Sequence, residues 1–135
     1  EACTGGGKTL AFLIPAIEML RRAPQPPPPA PESSGRPPEC LALVVTPTRE
    51  LAQQTFALAQ RLCASVPGMG ANLAVGGTSS SAPAGQRLVT GLLVGTPGRL
   101  FEVLCLRREM RVKGLELLVM DEADRLLEMG FKRQL

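Results

Sequence analysis

The sequence predicts an α/β fold with a mostly parallel sheet and helices on both of its faces. Short continuous apolar runs, such as Leu117-Leu118-Val119-Met120, alternate along the 135 residues with longer segments of helical periodicity. Strands that are buried on both faces read as unbroken apolar runs, and parallel strands need helical crossovers between them. In addition, the glycine-rich run Gly5-Gly6-Gly7-Lys8-Thr9 stands directly before the first helical segment, as is typical of the first turn of such folds. The length allows one domain at most.

The first predicted element is a helix over about residues 8–22. Its apolar residues between Leu10 and Ile17 recur with the i, i+3, i+4, i+7 spacing of one buried helix face. Pro15 has no backbone N–H to donate to the preceding turn, so we expect it to kink this helix.

A proline-rich segment follows at about residues 24–38. Proline cannot donate a hydrogen bond to a helix or a sheet, so this segment is predicted to be a disordered or polyproline-II insert on the surface. A ligand for an SH3-type domain is the alternative interpretation, and a plain surface insertion is the favoured one.

The remaining predicted elements alternate between strand and helix. The predicted strands cover residues 41–45, 73–75, 92–94 and 117–120. The predicted helices cover about residues 48–66, 99–108 and 122–129, with a short helical stretch at 86–89. In the helix over 48–66, the residues expected on the buried face are Leu51, Thr55, Leu58, Ala59 and Leu62. The sequence contains no internal repeat.

The glycine-rich run has the chemistry of a phosphate-binding loop. Three consecutive glycines allow a tight curve and a close approach of backbone N–H groups to phosphate oxygens. Lys8 supplies a cation for the outer phosphates, and Thr9 supplies a hydroxyl for Mg²⁺. The helix that starts near Gly7 adds the positive end of its dipole. A flexible glycine-rich turn without a ligand is the alternative, and the helical segment that follows makes it less attractive.

A pair of carboxylates stands at the end of the last apolar run. In open α/β sheets, ligands bind outside the carboxyl ends of the strands, which is where Asp121 and Glu122 fall. Asp121 is expected to hold Mg²⁺ directly or through water, because Mg²⁺ keeps several waters and takes few protein carboxylates. Glu122 is expected to orient and deprotonate an attacking water. A solvated acidic first turn of a helix is the alternative.

Composition restricts the partners and the compartment. The net charge of +3 permits an anionic partner without requiring one. There is no His, and no pair of the four cysteines has C-x-x-C spacing, so a zinc site is not expected. The cysteines are expected to be free and buried in a reducing compartment, with Cys3 as a candidate for oxidation. Neither a signal peptide nor a membrane-spanning apolar run is present, so no membrane partner is expected.

Three further short runs follow predicted strands: Pro47-Thr48-Arg49-Glu50-Leu51-Ala52-Gln53-Gln54, then Gly76-Gly77, then Thr96-Pro97-Gly98-Arg99-Leu100. Together with the glycine-rich run and Asp121-Glu122-Ala123-Asp124, their order and spacing resemble the first RecA-like domain of DEAD-box ATP-dependent RNA helicases. The resemblance covers essentially the whole chain apart from the proline-rich insert. It implies a RecA-like P-loop domain, with residues 1–135 as part of the N-terminal helicase ATP-binding domain.

The chemistry of these runs suits an RNA backbone in its own right. Backbone N–H groups, hydroxyls and guanidinium groups at strand ends bind sugar-phosphate oxygens. The sequence has no Trp, no Tyr and four Phe, so platforms for base stacking are poorly supplied. Contact with the backbone alone predicts binding with little sequence preference, and the family implies RNA over DNA through 2′-OH contacts.

The resemblance assigns a role to each matching position, with ATP and Mg²⁺ as cofactors. The positions implied for the triphosphate are Thr4, Gly5, Gly6, Gly7, Lys8 and Thr9. Those implied for Mg²⁺ and the attacking water are Thr9, Asp121 and Glu122, and the implied catalytic residues are Lys8, Asp121 and Glu122. The RNA path would include Thr48, Arg49, Gly77, Thr96, Gly98 and Arg99. Asp124 would couple RNA binding to hydrolysis through a second RecA-like domain.

Several parts of the family pattern are not among these 135 residues. They are the adenine-recognition segment, the Ser-Ala-Thr run, and the second RecA-like domain with its arginine finger. The chain begins at Glu1 inside the P-loop and ends at Leu135 inside a helical pattern, so we expect a piece truncated at both ends. In the family, the strands that carry the P-loop and the Ser-Ala-Thr run are central to the sheet. The isolated 135 residues are therefore predicted to be poorly stable and essentially inactive.

The function that the resemblance implies is RNA-stimulated ATP hydrolysis coupled to duplex unwinding or to remodelling of RNA–protein complexes. The alternatives are a non-catalytic, ATP-gated RNA clamp and an inactive truncated piece. A GTPase is disfavoured because Asn72 lacks a guanine-reading context, and a D-E-x-H helicase because Asp124 stands where His is needed. The residues around Asp121 are most similar to members acting in ribosome assembly. This implies an intracellular protein with pre-ribosomal partners in the nucleus or nucleolus, with cytoplasm and organelles as alternatives.

Overall fold

The structure, a computed structural model, describes residues 6–23, 37–76 and 88–122. Its helices are α1 (Gly6–Arg22), α2 (Arg49–Cys63) and α3 (Pro97–Phe101), and α3 continues directly into a π-helix (Glu102–Leu106). Its strands are β1 (Cys40–Val45), β2 (Gly70–Ala74), β3 (Gly91–Gly95) and β4 (Leu117–Met120).

The described strands form one parallel sheet in the order β2-β3-β1-β4. Val45, the last residue of β1, is in register with Gly95 of β3 and with Met120 of β4. Ala74 at the end of β2 is in register with the same Gly95. All four strands therefore end at one edge of the sheet, and the loops that carry the sequence motifs leave from that edge.

Helices cover both faces of the sheet. On one face, Leu13 and Leu20 of α1 pack with α2 residues and with Val44 and Leu92 of the sheet in one buried cluster. On the other face, Leu93 of β3 packs with residues of α3 and of the π-helix in a second buried cluster. The predicted α/β class, with a parallel sheet and helices on both faces, is confirmed.

Most predicted elements are present, with different ends. The strand over 117–120 has the predicted bounds, and the other strands extend one to three residues beyond theirs at the amino end. The helix α1 begins two residues earlier than predicted and runs without interruption through Pro15, which lies on its exposed side. The third helix is not a single α-helix as predicted, because its second half is a π-helix.

The buried face of α2 differs from the predicted one. Its buried residues are Ala52, Thr55, Ala59 and Cys63, whereas Leu51, Leu58 and Leu62 are only partly buried. Small side chains at the centre of the face allow the helix backbone to approach the sheet closely, and the leucines then cover the flanks of the contact. The periodicity of the sequence predicted the correct side of α2, but the size of the side chains decided which residues lie at the centre of the buried face.

Four further predictions are corrected or fall outside the described residues. Glu122 does not begin a helix but lies in a turn with φ of 54°, and residues 88–89 are not helical. Cys40 and Cys63 are free and buried as predicted, but Cys105 is exposed. The proline-rich insert lies almost entirely outside the described residues. No helix within them is both long and apolar enough to cross a membrane.

Candidate functional site

The loops at the carboxyl edge of β1, β2 and β3 line a shallow pocket of about 570 Å³ that is largely open to solvent. Two arginines and two glutamates contribute to its wall together with small residues. The lining residues are Pro47, Arg49, Glu50, Gly76, Thr96, Gly98, Arg99 and Glu102. The three runs predicted for the RNA path therefore meet at one open pocket, although Arg49 and Arg99 are 50 positions apart in the sequence.

The first run enters the pocket through the start of α2. Thr48 caps this helix, because its hydroxyl oxygen accepts a hydrogen bond from the Leu51 backbone N–H at 3.1 Å. The side chain of Arg49 is exposed, and its Nη1 donates to the carbonyl oxygen of Gly76 at 3.2 Å. Arg49 thus connects the loop after β1 with the loop after β2, and it does so with one of its five N–H groups, which leaves others for a ligand.

The third run enters through the start of α3. The backbone N–H of Thr96 donates to the carbonyl oxygen of Ala74 at 3.1 Å, and its side chain makes no cap hydrogen bond to α3. Gly98 is exposed, and nothing lies within 4 Å of the place that a Cβ would occupy. A hydroxyl that the helix does not use and an open backbone position are both available to a ligand in the pocket.

Arg99 differs from Arg49 in its surroundings. Its side chain is 11% exposed, and its Nη1 lies 2.7 Å from Oε1 of Glu102, one helical turn further on. The buried Nε of Arg99 has no hydrogen-bond partner among the described residues. A guanidinium held in this way has one fixed ion pair and unused hydrogen-bonding capacity at the pocket wall.

The candidate phosphate and carboxylate residues lie at the same edge of the sheet, on the β4 side. Lys8 is exposed in the first turn of α1, and the following Thr9 is buried. Asp121 directly follows β4, and its backbone N–H donates to the carbonyl oxygen of Val45 at 2.8 Å. The end of β1 therefore stands between the pocket and these residues.

The carboxyl group of Asp121 is in an unfavourable place for an isolated negative charge. Its pKa is raised, first by burial and then by the neighbouring Glu122 carboxylate, and this is opposed by a backbone hydrogen bond and by the Lys8 ammonium. Lys8 makes the smallest of these contributions to the pKa of Asp121, which indicates that its ammonium group lies on the same side of the sheet edge as this carboxyl group. Glu122 occupies the left-handed region with φ of 54°, which is uncommon for a residue other than glycine.

The structure brings together most of the predicted site residues that it describes. Gly6 and Gly7 form the first residues of α1, and Thr4, Gly5, Gly77 and Asp124 lie outside the described residues. Sequence reasoning missed Glu102 as a pocket residue, and it gave no separate role to Glu50 and Gly76, which stand within the runs it identified. The spacing of Glu102, three residues after Arg99 in a predicted helix, was a signal that could have found their ion pair.

Comparison with known proteins agrees with this arrangement. The sequence pattern of the DEAD/DEAH box helicase family matches residues 1–135. DEAD-box ATP-dependent RNA helicase 18 of Oryza sativa subsp. japonica is 43% identical over 137 residues, which cover 100% of this chain and 20% of that protein. The chain thus spans about a fifth of the length of this curated relative.

Solved structures show the same fold. The yeast DEAD-box splicing factor Prp28 matches with a TM-score of 0.72 and 34% identity, over 98% of this chain and 30% of that one. S. cerevisiae Dbp5, solved bound to RNA and ADP BeF3, matches with a TM-score of 0.69 and 27% identity, over 99% of this chain and 30% of that one. The chain therefore belongs to the DEAD/DEAH box helicase family and has its RecA-like fold.

Proposed function

We propose that the protein is an RNA-dependent ATPase that uses hydrolysis to unwind RNA duplexes or to remodel RNA–protein complexes. The observation that carries the proposal is the shared edge of the sheet. A pocket with two arginines and an electrostatically coupled lysine–carboxylate site both lie at the carboxyl ends of the strands, on either side of β1. The arginine pocket suits a polyanionic chain, and the lysine–carboxylate site suits a nucleoside triphosphate.

The nucleotide is proposed to bind at the start of α1. The backbone N–H groups of the first turn of a helix have no partners within the helix, so they are available to phosphate oxygens. Lys8 is exposed there and supplies a positive charge to the outer phosphates. The proposed phosphate-binding residues are Thr4, Gly5, Gly6, Gly7, Lys8 and Thr9.

A magnesium ion fits the oxygen groups on the β4 side of this edge. Mg²⁺ takes one or two carboxylates and completes its shell with water and phosphate oxygens, so it does not require a cage of protein ligands. Burial and Glu122 raise the pKa of Asp121, and a nearby divalent cation would favour its ionised form. The proposed metal-site residues are Thr9, Asp121 and Glu122.

Hydrolysis needs a base for the water that attacks the γ-phosphorus. Glu122 is proposed to accept the proton of this water as the bond to phosphorus forms, and Lys8 to stabilise the negative charge that develops on the phosphate oxygens. The bond between the γ-phosphorus and the bridging oxygen breaks, and ADP leaves with that electron pair. Asp124 is proposed to link this step to RNA contact through a second RecA-like domain.

The RNA backbone is proposed to lie in the pocket of Arg49 and Arg99. Guanidinium groups and the exposed backbone at Gly98 suit phosphate and sugar oxygens, and the pocket lining contains no aromatic side chain on which a base could stack. We therefore expect little sequence preference. The preference for RNA over DNA is proposed from the family resemblance, which implies contacts with the 2′-OH group. The proposed RNA-contacting residues are Thr48, Arg49, Gly77, Thr96, Gly98 and Arg99.

The ATPase proposal is tested with Glu122→Gln in the natural full-length protein. Loss of the base should lower RNA-stimulated ATP turnover by a factor of about 10²–10⁴ while ATP-dependent RNA binding is kept. The matched control is Glu116→Gln, an exposed carboxylate just before β4, which should turn over ATP like the wild type. Unchanged turnover in Glu122→Gln would refute the assignment of the base.

The RNA path is tested with Arg49→Ala at one end of α2 and Arg61→Ala at the other end. Loss of one phosphate contact should weaken binding of single-stranded polyuridine RNA about tenfold and reduce the slope of log affinity against log salt by about one. Arg61→Ala should change neither quantity. Equal effects of the two variants would mean that α2 does not present Arg49 to RNA.

An ATP-gated RNA clamp without turnover is the second candidate. It is distinguished by ATP turnover measured with and without RNA in the full-length protein. Activity in ribosome assembly, pre-ribosomal partners and a nuclear or nucleolar location are further proposals, which rest on the similarity of the residues around Asp121 to members with that role. The isolated 135 residues are proposed to lack RNA-stimulated turnover.

A further inference from the structure

The carboxylate of Glu102 lies between two guanidinium groups. Its Oε1 is 2.7 Å from Nη1 of Arg99, and its Oε2 is 3.2 Å from Nε of Arg107. Both Glu102 and Arg99 line the pocket proposed for RNA, whereas Arg107 is more than half exposed. Each oxygen of Glu102 therefore has its own cationic partner, and the carboxylate is held from two sides.

The π-helix is what allows Arg107 to reach Glu102. The backbone N–H of Arg107 donates to the carbonyl oxygen of Glu102 at 2.7 Å, across the five-residue spacing of a π turn. In an α-helix, residues three and four positions further on would face Glu102 instead. In the wider π turn, the residue five positions after Glu102, which is Arg107, lies on the same side of the helix as Glu102. Single π turns within helices are uncommon and occur frequently at functional sites.

The Arg99 side chain forms an ion pair with this carboxylate. In this ion pair, Nη1 of Arg99 lies 2.7 Å from Oε1 of Glu102. The buried Nε of Arg99 has no hydrogen-bond partner among the described residues. An arginine side chain has many rotamers, and a ligand that binds a free one must restrict them at a cost in affinity. A guanidinium that is already fixed by an ion pair is prepared for a phosphate or sugar oxygen.

We propose that Glu102 is a positioning residue for RNA binding: clamped by Arg107 across the π turn, it holds the Arg99 guanidinium at the wall of the pocket. This inference rests on the proposed RNA path and goes beyond it by assigning a role to residues outside the family's runs. A carboxylate near a polyanion would ordinarily weaken binding by repulsion. Here its charge is balanced by two arginines, so its loss removes the positioning contact from Arg99 rather than a source of repulsion.

Positioning of Arg99 and repulsion of RNA predict changes of opposite sign in RNA affinity when the charge of Glu102 is removed. Glu102→Gln keeps the size of the side chain and removes its charge. If Glu102 positions Arg99, affinity for single-stranded polyuridine RNA in the natural full-length protein falls about tenfold at a fixed salt concentration. If Glu102 only repels the RNA, affinity rises. The matched control is Glu109→Gln, which removes the same charge from a carboxylate that contacts Nη1 of Arg107 at 3.4 Å and is not paired with Arg99.

A double-mutant cycle separates positioning from a general loss of structure. In an Arg99→Ala background, Glu102→Gln should have no further effect on RNA affinity, because the residue that it positions is gone. An equal loss in both backgrounds would refute the proposal, as would unchanged or tighter binding by Glu102→Gln alone. Denaturant midpoints of each variant check that affinity is measured on folded protein.

The same cycle distinguishes failure of this inference from failure of the RNA path. If Arg99→Ala weakens RNA binding and Glu102→Gln does not, the path stands and the positioning role is wrong. If Arg99→Ala binds RNA like the wild type, Arg99 is not an RNA contact, and both the path at this residue and the role of Glu102 are refuted.

Discussion

The strands β3 and β4 have nearly the same apolar residues and very different surroundings. Both contain the run Leu-Leu-Val, yet every residue of β3 is buried, whereas no residue of β4 is, and Leu118 is 52% exposed. The reason is position in the sheet. β3 pairs with β1 and with β2, whereas β4 pairs with β1 alone among the described residues. Local sequence makes a strand, and its neighbours decide how much of it is buried.

The difference extends to the two candidate sites. The pocket proposed for RNA lies at the ends of β1, β2 and β3, next to the buried hydrophobic cluster that these strands form with α3 and the π-helix. The proposed carboxylates follow the half-exposed strand β4. Among the described residues, the RNA side of the sheet edge is therefore more deeply buried than the nucleotide side. We expect the two sides to differ in stability as they do in burial.

The largest expected effect is that of Leu93→Ala in β3. Leu93 is fully buried, and its truncation should lower the free energy of unfolding by about 2–5 kcal/mol, because it removes apolar contacts and leaves a cavity. Leu118→Ala in β4 is the matched variant, expected to cost less than about 1 kcal/mol. Urea denaturation measures both. A cost for Leu118→Ala equal to that for Leu93→Ala would show that chain outside the described residues covers β4.

An intermediate effect is expected for Asn72→Ala in β2. Asn72 is 3% exposed; its Nδ2 donates to the carbonyl oxygens of Val89 and Leu92 at 2.8 and 3.0 Å, and its Oδ1 accepts from the Val89 N–H at 2.8 Å. Removing the amide leaves these backbone groups without their partner and should cost about 2–3 kcal/mol of unfolding free energy.

A matched change for Asn72→Ala is Thr90→Ala, which removes a single acceptor for the Glu39 N–H at 3.1 Å and should cost about 1 kcal/mol. Both are measured by urea denaturation. Equal losses of unfolding free energy in the two variants would mean that the Asn72 amide does not hold the residues before β3 against β2. The burial of β3 would then depend on other contacts.

The smallest effect concerns the cysteines and leaves the fold intact. Burial raises the pKa of Cys40 to about 12 and that of Cys63 to about 11, so at pH 8 neither thiol forms an appreciable amount of the reactive thiolate. Cys105 is exposed in the π-helix and should be alkylated by iodoacetamide first.

Mass spectrometry after labelling, in a Cys3→Ser background, measures this order. Denaturant should abolish the difference, because unfolding exposes all the thiols. Labelling of Cys40 in the folded protein as fast as that of Cys105 would contradict the burial of β1. This result would weaken the contrast between a closed central sheet and an open edge strand.

Much of the fold could be predicted because it depends on local pattern. The apolar run Leu117–Met120 gave a strand with the observed bounds, and the helix predicted from about residue 48 begins at Arg49, with Thr48 as its N-cap. The family's runs fall at strand ends in the sequence, and parallel register brings those ends to one edge. For this reason Arg49, Gly98 and Arg99 could be named as neighbours before their contacts were known.

What could not be predicted depends on size, register and non-local partners. Leucines were predicted at the centre of the buried face of α2, whereas Ala52 and Cys63 are buried there, because close approach to the sheet favours small side chains. Asn72 carried no signal in the sequence beyond its lack of a guanine-reading context, yet it holds two carbonyls and one N–H in the interior. Its partners lie 17 and 20 residues away, beyond the reach of periodicity.

The sequence by itself determined the parallel α/β class, the order of the described elements and the short runs that follow the strands at the carboxyl edge, since each follows from short-range pattern and from the geometry of parallel strands. The tertiary structure alone decided that Arg99 is nearly buried and paired, that a π turn brings Arg107 to Glu102, and that β3 is enclosed while β4 is half-exposed. These features arise from contacts between side chains and strands that only the folded chain brings together, and no local pattern specifies them.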